Sequence, residues 1–353
     1  MHPPRPEVAP TGRTVGAGAR RGFAVPGNLK NATADKPVDT ETSTEEGLGR
    51  GEGPAHQPFK PTLPKQNLSH FSLRLCPQQL PPLCGPGFHP KPPSAKAGTL
   101  ESMRIARFTV NNELHFGLVE GETGEETLRV LAGDPFYSGI EPTGTTYPID
   151  QVRLLAPIIP RSKVIGAIAN WAGTEAPASP QFFLKPNTTV IGPGDPVTLP
   201  EYSEAVSAEG ELAVIIGRIA KSVPLERVPE VVFGYTVAND LTARDMLDTD
   251  RQWTRAKGFD GSTPLGPWIE TELDTDSLNI TTWVDGDVVQ EGNTSEMHYS
   301  VAEQVAAASE IFTLLPGDVI LTGTPAGISV LRDGNEVEIE VEGIGSLVTR
   351  VRD

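Results

Sequence analysis

Cysteine is almost missing from this 353-residue chain: there are two, Cys76 and Cys84, both among the first 102 residues. From Met103 onward there is none, which excludes a disulfide framework, a cysteine metal site and a thiol nucleophile there. Histidine is nearly as scarce, with only His115 and His298 of the six lying beyond Met103. Positive charge is the third shortage. Residues 1–102 hold 12 of the 29 Lys+Arg and 8 of the 46 Asp+Glu, which leaves 17 basic against 38 acidic residues in the rest. So acidic a body argues against nucleic acid and against anionic membrane surfaces as partners. No apolar run approaches the ~20 residues of a bilayer-crossing helix, and the N-terminus lacks the apolar core of a secretory signal. The expected compartment is the cytoplasm. The phosphate-loop pattern G-x-x-x-x-G-K, a G-x-G-x-x-G opening a helix, H-E-x-x-H and the G-x-S-x-G elbow are all missing too.

What is present divides at Met103. Residues 1–102 carry 17 of the 34 prolines, show no sustained period, and cannot bury enough apolar surface to offset chain entropy. A disordered Pro/Gly-rich extension is expected there. Its arginines raise an organelle-transit reading that no amphipathic pattern supports. A mis-set start is favoured, because Met103 opens "MRIARFTV", a credible first strand. Beyond it the text is mainly short strands. "MRIARFTV" and "LHFGLV" flank the polar "NNE", a hairpin signal. "VRLLAPI", "KVIGAIA", "QFFLKP", "DVILTG", "NEVEIEVEG" and "SLVTRV" follow, and "TTWVDGDVVQ" holds the turn pair Asp285-Gly286. The best helix spans 301–315, with Val301, Val305, Ala308 and Phe312 on one face and Pro316-Gly317 as its stop. An α+β, mainly β body of about 250 residues with a few helices is the expectation.

Chemistry concentrates in "SAEGELAVIIGR". In a strand, residues i and i+2 share a face. Glu209 and Glu211 therefore lead into Ala213 and Ile215, while Leu212, Val214 and Ile216 form the other face. Both faces are apolar, as in a strand buried on both sides. In "NEVEIEVEG" the same spacing persists as an alternation, so Glu336, Glu338, Glu340 and Glu342 read as a solvated face. A third carboxylate, Asp240, ends the apolar run "VVFGYTVAND"; it reads either as a companion of the glutamates or as a helix N-cap before "LTARDML". Carboxylates brought together in a dry place push one another's pKa values up. A hard divalent cation with oxygen ligands (Mg²⁺, Mn²⁺ or Ca²⁺) removes the conflict. Arg244 and Lys257 follow closely. Thr322, Gly323 and Thr324 end another apolar strand, where backbone N–H groups could hold an anion. His115 and His298 have no evident catalytic partners and read as satisfied or surface residues.

Taken in order, "FFLKPNTTVIGPGDPV", "EGELAVIIGR", "GYTVANDLTARD", "QWTRAKGFDGSTPLGPW" and "LLPGDVILTGTPAG" resemble the fumarylacetoacetate hydrolase family. The resemblance covers Met103 to Asp353. It implies a β-roll of mixed sheets, with residues 103–160 as a small N-terminal β subdomain and 161–353 as the catalytic domain, in a homodimer. It implies Mg²⁺ or Mn²⁺ held by Glu209, Glu211 and Asp240. The substrate would be a 2-oxo or β-diketo dicarboxylic acid, processed through an enolate by decarboxylation, isomerisation or C–C hydrolysis. Arg244 and Lys257 would orient it, Thr324 would bind its carboxylate, and Lys185 would approach the same site. In two places the chain departs from the family pattern. Where the family carries N-Y-x-x-H on a lid, this chain has "NWAGTEAPASPQFF": Trp171 replaces the tyrosine, Thr174 stands at the histidine position, and Glu175 is the nearby carboxylate. The family's glutamine after the arginine is Leu247. These departures weigh on water activation more than on metal binding. The rival expectation is a non-catalytic dimeric protein that keeps the cage to hold a dicarboxylate.

Overall fold

The structure is a computed structural model that describes residues 102–352. The expected extension therefore lies outside the described residues, apart from Ser102. Among the described residues, turn residues cut the apolar text into nineteen strands, and of three α-helices there only Val301–Ile311 exceeds four residues. The two hairpin readings hold. Asn111 and Asn112, with φ of 52° and 66°, join Arg104–Val110 to Glu113–Glu120; Asp285 and Gly286, at 53° and 86°, join Asn279–Val284 to Asp287–Asn293. Positive φ at both central residues is what a two-residue turn between right-twisted strands demands.

The helix expected over 301–315 ends at Ile311. A capping box of Ser300 and Glu303 starts it. It stops before Pro316 because Leu314 exchanges both backbone hydrogen bonds with Ala220, at 3.0 and 2.8 Å. That pairing pulls the segment out of helical geometry, a tertiary contact no local pattern announces.

Twelve strands form one mixed sheet, and Gly210–Ile216 lies within it between Val232–Asn239 and Val319–Leu321. Next to Val319–Leu321 comes Val164–Ile168, in parallel, and then Gln181–Lys185 at the edge. A five-stranded sheet, which includes Asn279–Val284, Glu336–Val341 and Gly345–Arg352, packs across it. Every residue of Gly210–Ile216 is buried. Leu212, Val214 and Ile216 enter one apolar cluster, and Ala213 and Ile215 enter the second on the other face. At about 1.5–3 kcal/mol for each large aliphatic side chain buried, this strand is an anchor of the domain. In Glu336–Val341 the alternation is real: Val337, Ile339 and Val341 are buried, while Glu336 and Glu340 are exposed.

The glycine between the two glutamates is a packing requirement. A Cβ at Gly210 would stand 2.2 Å from Thr282 Oγ1 and 3.0 Å from Ile339 Cγ2, both on the five-stranded sheet. The two sheets close onto each other at this point, which holds Glu209 and Glu211 at a fixed end of the strand. Gly210→Ala is expected to cost about 1–3 kcal/mol through overpacking. Thermal unfolding should show a melting point several degrees lower, and an unchanged one would mean the sheets separate here without strain.

Candidate metal and active site

Strand register assembles the acidic cluster. Gly210 pairs with Asn239, which sets Glu209 beside Asp240; the Asp240 N–H donates to the Glu209 carbonyl at 2.9 Å. On the other side Ala213 pairs with Leu321, so continuation of the ladder carries Glu211 to Gly323, whose N–H donates to Glu211 Oε2 at 2.7 Å. One oxygen from each of Glu209, Glu211 and Asp240 lies within 4.8 Å of the others, and all three residues are buried. Asp240 is not a helix N-cap: it is followed by the short strand Thr242–Ala243 and a single 3-10 turn capped at Ala243. The loop N–H groups at Thr322 and Gly323 do hold acceptors, but these are the chain's own Leu212 carbonyl and Glu211 carboxylate.

Three cations balance the three acids unevenly. Lys257 Nζ donates to Glu209 Oε2 at 2.7 Å and to Asp240 Oδ2 at 2.6 Å. Lys185 Nζ donates to Asp240 Oδ1 and, at 2.7 Å, to the Ser262 carbonyl. Arg244 reaches Glu209 Oε1 at 3.1 Å from a part-exposed position. Burial raises the Asp240 carboxyl, but Lys185 and then Lys257 outweigh burial and hold it below its ordinary value. Lys185 itself lies below its ordinary value, because burial, helped by the nearby Lys257 ammonium, prevails over Asp240 and Glu209. Burial also acts to lower Lys257, yet Asp240 and Glu209 prevail and hold it above its ordinary value. Glu211 is the exception. Burial pushes its carboxyl well above the usual range, Asp240 pushes it further, and Lys257 offsets only part. Among the described residues no ammonium or guanidinium hydrogen-bonds to it.

That arrangement fits a divalent cation. The donor set is all oxygen, the choice of Mg²⁺ and Mn²⁺, and a dry carboxylate without its own ion pair is the group a cation would keep ionised.

A cavity of about 280 Å³ opens on the cluster. Glu209, Glu211, Arg244 and Lys257 line it, together with Trp171, Thr174 and Thr324. It shares Ile168, Phe183 and Trp253 with a larger groove of about 550 Å³. Phe183 also offers its ring to the Lys257 ammonium at 4.9 Å. Several expected roles change. Lys185 is 1 % exposed and stands behind Asp240, outside the cavity lining, so its part is to hold that carboxylate. Glu175 is exposed and absent from the lining. The Thr324 hydroxyl donates to the Gly210 carbonyl and accepts from Gln290 Nε2, both at 2.9 Å, so its proton is already engaged within the protein. Leu247 lines the cavity where a polar side chain was missed in the sequence.

Sequence reading passed over three contributors. Gln290, 2 % exposed, ties Gly210 to the Thr324 loop by accepting from Gly210 N at 2.9 Å. Asn170 fastens the base of the lid, its Nδ2 donating to the Thr322 and Tyr299 carbonyls at 3.0 and 3.1 Å. His298 comes to the lid from 124 residues away: its Nε2 lies 3.2 Å from the Thr174 carbonyl and 3.4 Å from Thr174 Oγ1. No spacing rule could have found it. His115 sits instead against Phe108 and Tyr147, far from any such role.

Breaking a buried ion pair from one side leaves an uncompensated charge, at a cost of about 3–5 kcal/mol. Lys185→Met, unfolded by urea in the presence of a chelator, should lose stability of that order. An unchanged midpoint would show that Asp240 does not need its second ammonium.

Residues 164–352 match the model of the fumarylacetoacetate (FAA) hydrolase C-terminal family, and residues 103–157 match an Rv2993c-like N-terminal model. Protein Rv2993c of Mycobacterium tuberculosis is 46% identical over 261 residues, covering 70% of this chain and 98% of that protein. The human mitochondrial oxaloacetate tautomerase FAHD2A is 37% identical over 248 residues, 65% of this chain and 77% of its own length. Among solved structures, 5-carboxymethyl-2-hydroxymuconate delta-isomerase from Mycobacterium smegmatis superposes with a TM-score of 0.68 at 45% identity, covering 71% of this chain and 99% of its own. Maleylpyruvate hydrolase from Sphingobium sp. SYK-6, solved with manganese(II) and pyruvate, gives 0.58 at 30% identity over the same shares, 71% and 99%. With its family model spanning more than half of the sequence and its fold shared with these enzymes, the chain belongs to the fumarylacetoacetate hydrolase family.

Proposed function

We propose that this protein is a divalent-metal-dependent enzyme that converts a 2-oxo dicarboxylic acid through its enolate, with tautomerisation or decarboxylation ahead of C–C hydrolysis. The observation that carries the reading is the cluster of three buried carboxylates, with oxygens within 4.8 Å of one another, on a cavity that a guanidinium also lines. Glu209, Glu211 and Asp240 would hold Mg²⁺ or Mn²⁺. Once bound, such an ion supplies Lewis acidity to a 2-oxo carbonyl. The relatives point to the same chemistry: a tautomerase of oxaloacetate, an isomerase of a hydroxymuconate, and a hydrolase solved with manganese and pyruvate.

The chain's own residues have distinct tasks in this reading. Arg244, part-exposed at the cavity, draws in and orients a carboxylate. Lys257, which donates to Glu209 and Asp240, orients and neutralises. Trp171 Nε1 is a buried donor without a protein partner, beside Gly323 on the cavity wall. Trp171, Phe183, Leu247 and Trp253 exclude water and strengthen each charge contact inside. Hydrolysis would need a base poised to activate water, and Glu175 lies outside the lining. The reading includes a cytoplasmic homodimer, although the human relative is mitochondrial; light scattering would check the dimer.

Two measurements test it. Calorimetry should show that Glu209→Ala, Glu211→Ala and Asp240→Ala each abolish tight Mn²⁺ binding, while Glu338→Ala on the solvated strand leaves it unchanged. Unaltered affinity in all three would remove the metal site. Steady-state kinetics with Mn²⁺ should show oxaloacetate tautomerisation or decarboxylation outpacing hydrolysis of an acylpyruvate. Fast acylpyruvate hydrolysis that disappears in Glu175→Gln would reverse that order.

A further inference from the structure

Enolate chemistry requires a group that takes a proton from carbon and returns it. Around the cavity such a group is hard to find. Arg244 and Lys257 are hydrogen-bonded to the acidic cluster, through Glu209 and through Glu209 and Asp240 respectively, and the Thr324 hydroxyl is engaged with Gly210 and Gln290. On the lid side Thr174 lines the cavity; its hydroxyl, which donates to the Trp171 carbonyl and at 3.2 Å to the Ala169 carbonyl, lies 3.4 Å from the imidazole Nε2 of His298. Imidazole is the side chain that gives and takes a proton near neutrality.

We infer that His298 is the proton relay of this site, acting through the hydroxyl of Thr174; the inference rests on the enolate reading above. The contacts suit both states of one nitrogen. A protonated Nε2 donates to the Thr174 carbonyl at 3.2 Å, and a bare Nε2 accepts from Thr174 Oγ1 at 3.4 Å. The ring therefore exchanges its proton without leaving its place. The longer contact is of the kind that tightens when substrate is bound.

The site is also built to keep the pair together. His298 N donates to the Asn170 carbonyl at 2.8 Å, Tyr299 N donates to Asn170 Oδ1 at 3.0 Å, and Met297 bridges to Trp171. The Tyr299 hydroxyl reaches across the lid to the Pro177 carbonyl at 2.5 Å. Thr174 closes its own turn, its N–H and hydroxyl both donating to the Trp171 carbonyl at 3.3 and 2.7 Å. The relay requires that hydroxyl to rotate from Trp171 toward Nε2.

The step balances within the site. The C–H bond beside the 2-oxo group breaks and its electron pair passes into the enolate. The proton goes to Thr174 Oγ1 as the hydroxyl's own proton goes to Nε2. In the reverse sense, Nε2 returns a proton to Oγ1 as Oγ1 delivers one to the enolate oxygen, which completes the keto–enol exchange.

The test uses the full chain loaded with Mn²⁺, with oxaloacetate tautomerisation and the exchange of pyruvate methyl protons with D₂O as readouts. His298→Gln can still hydrogen-bond to the lid but cannot carry a proton. It is expected to lower kcat by about 10²–10⁴-fold, with KM and Mn²⁺ affinity unchanged, and Thr174→Val should do the same. Added imidazole should restore rate to His298→Ala, and moving the ring onto the lid (Thr174→His with His298→Ala) should restore it in the same chain. A purely structural role for His298 would give no imidazole rescue, and that result overturns the relay. So does a His298→Gln rate within about threefold of wild type, far short of a general acid–base contribution. A wild-type protein that binds Mn²⁺ yet shows neither tautomerisation nor exchange would instead overturn the enolate reading, and the relay with it.

Discussion

Three carboxylates gathered at the dry end of a central strand set the terms for the rest of this molecule. Like charges a few ångströms apart repel by about 4 kcal/mol even at an effective dielectric of 20, and burial adds to that. The fold answers with Lys185 and Lys257, both nearly inaccessible, placed on Asp240 and Glu209. Neither reaches Glu211, and the remaining imbalance is concentrated on that one group. Buried ion pairs are poor devices for stability, because desolvation offsets most of the attraction. Their presence here fixes the acidic oxygens in place, and leaves Glu211 without an ion pair of its own.

The surrounding structure follows from holding that cluster still. Strand register, not side-chain reach, brings Glu209 to Asp240 and Glu211 to Gly323. Gly210 lets the second sheet press on the strand between the two glutamates, and Gln290 spans from Gly210 to the Thr324 loop. Positions on paired strands are more exact than positions on loops, and metal sites depend on such exactness. The segment 170–180 lies partly exposed beside the cavity. Its short exposed turn is tied down at Asn170 and Trp171, and Thr174 lines the cavity with an imidazole beside its hydroxyl.

Much of this could be read in the amino-acid order. The strand "GELAVII" is apolar at every position after its glutamate, and such a segment has to be buried on both faces. The alternating "EVEIEV" has to be buried on one. Asn-Asn and Asp-Gly needed positive φ and made hairpins. Motifs in a fixed order were enough for the family, because each is a local requirement of backbone and charge. Where reading along the chain misled, a distant contact had overruled a local one. The helix stopped at Ile311 because Leu314 pairs with Ala220. Asp240 caps no helix because Thr242 and Ala243, just after it, pair as a strand with Ser207 and Val206. Lys185 bonds Asp240 and lies outside the cavity lining.

The sequence by itself determined the strands, the acidic pair and the family, since these depend on neighbours along the chain and on alternation. The tertiary structure alone decided which cations balance which acids, and that His298 stands beside Thr174. Those depend on groups 17 to 124 residues apart meeting at hydrogen-bond distance. The register between strands sets such distances, and no spacing within the text records them.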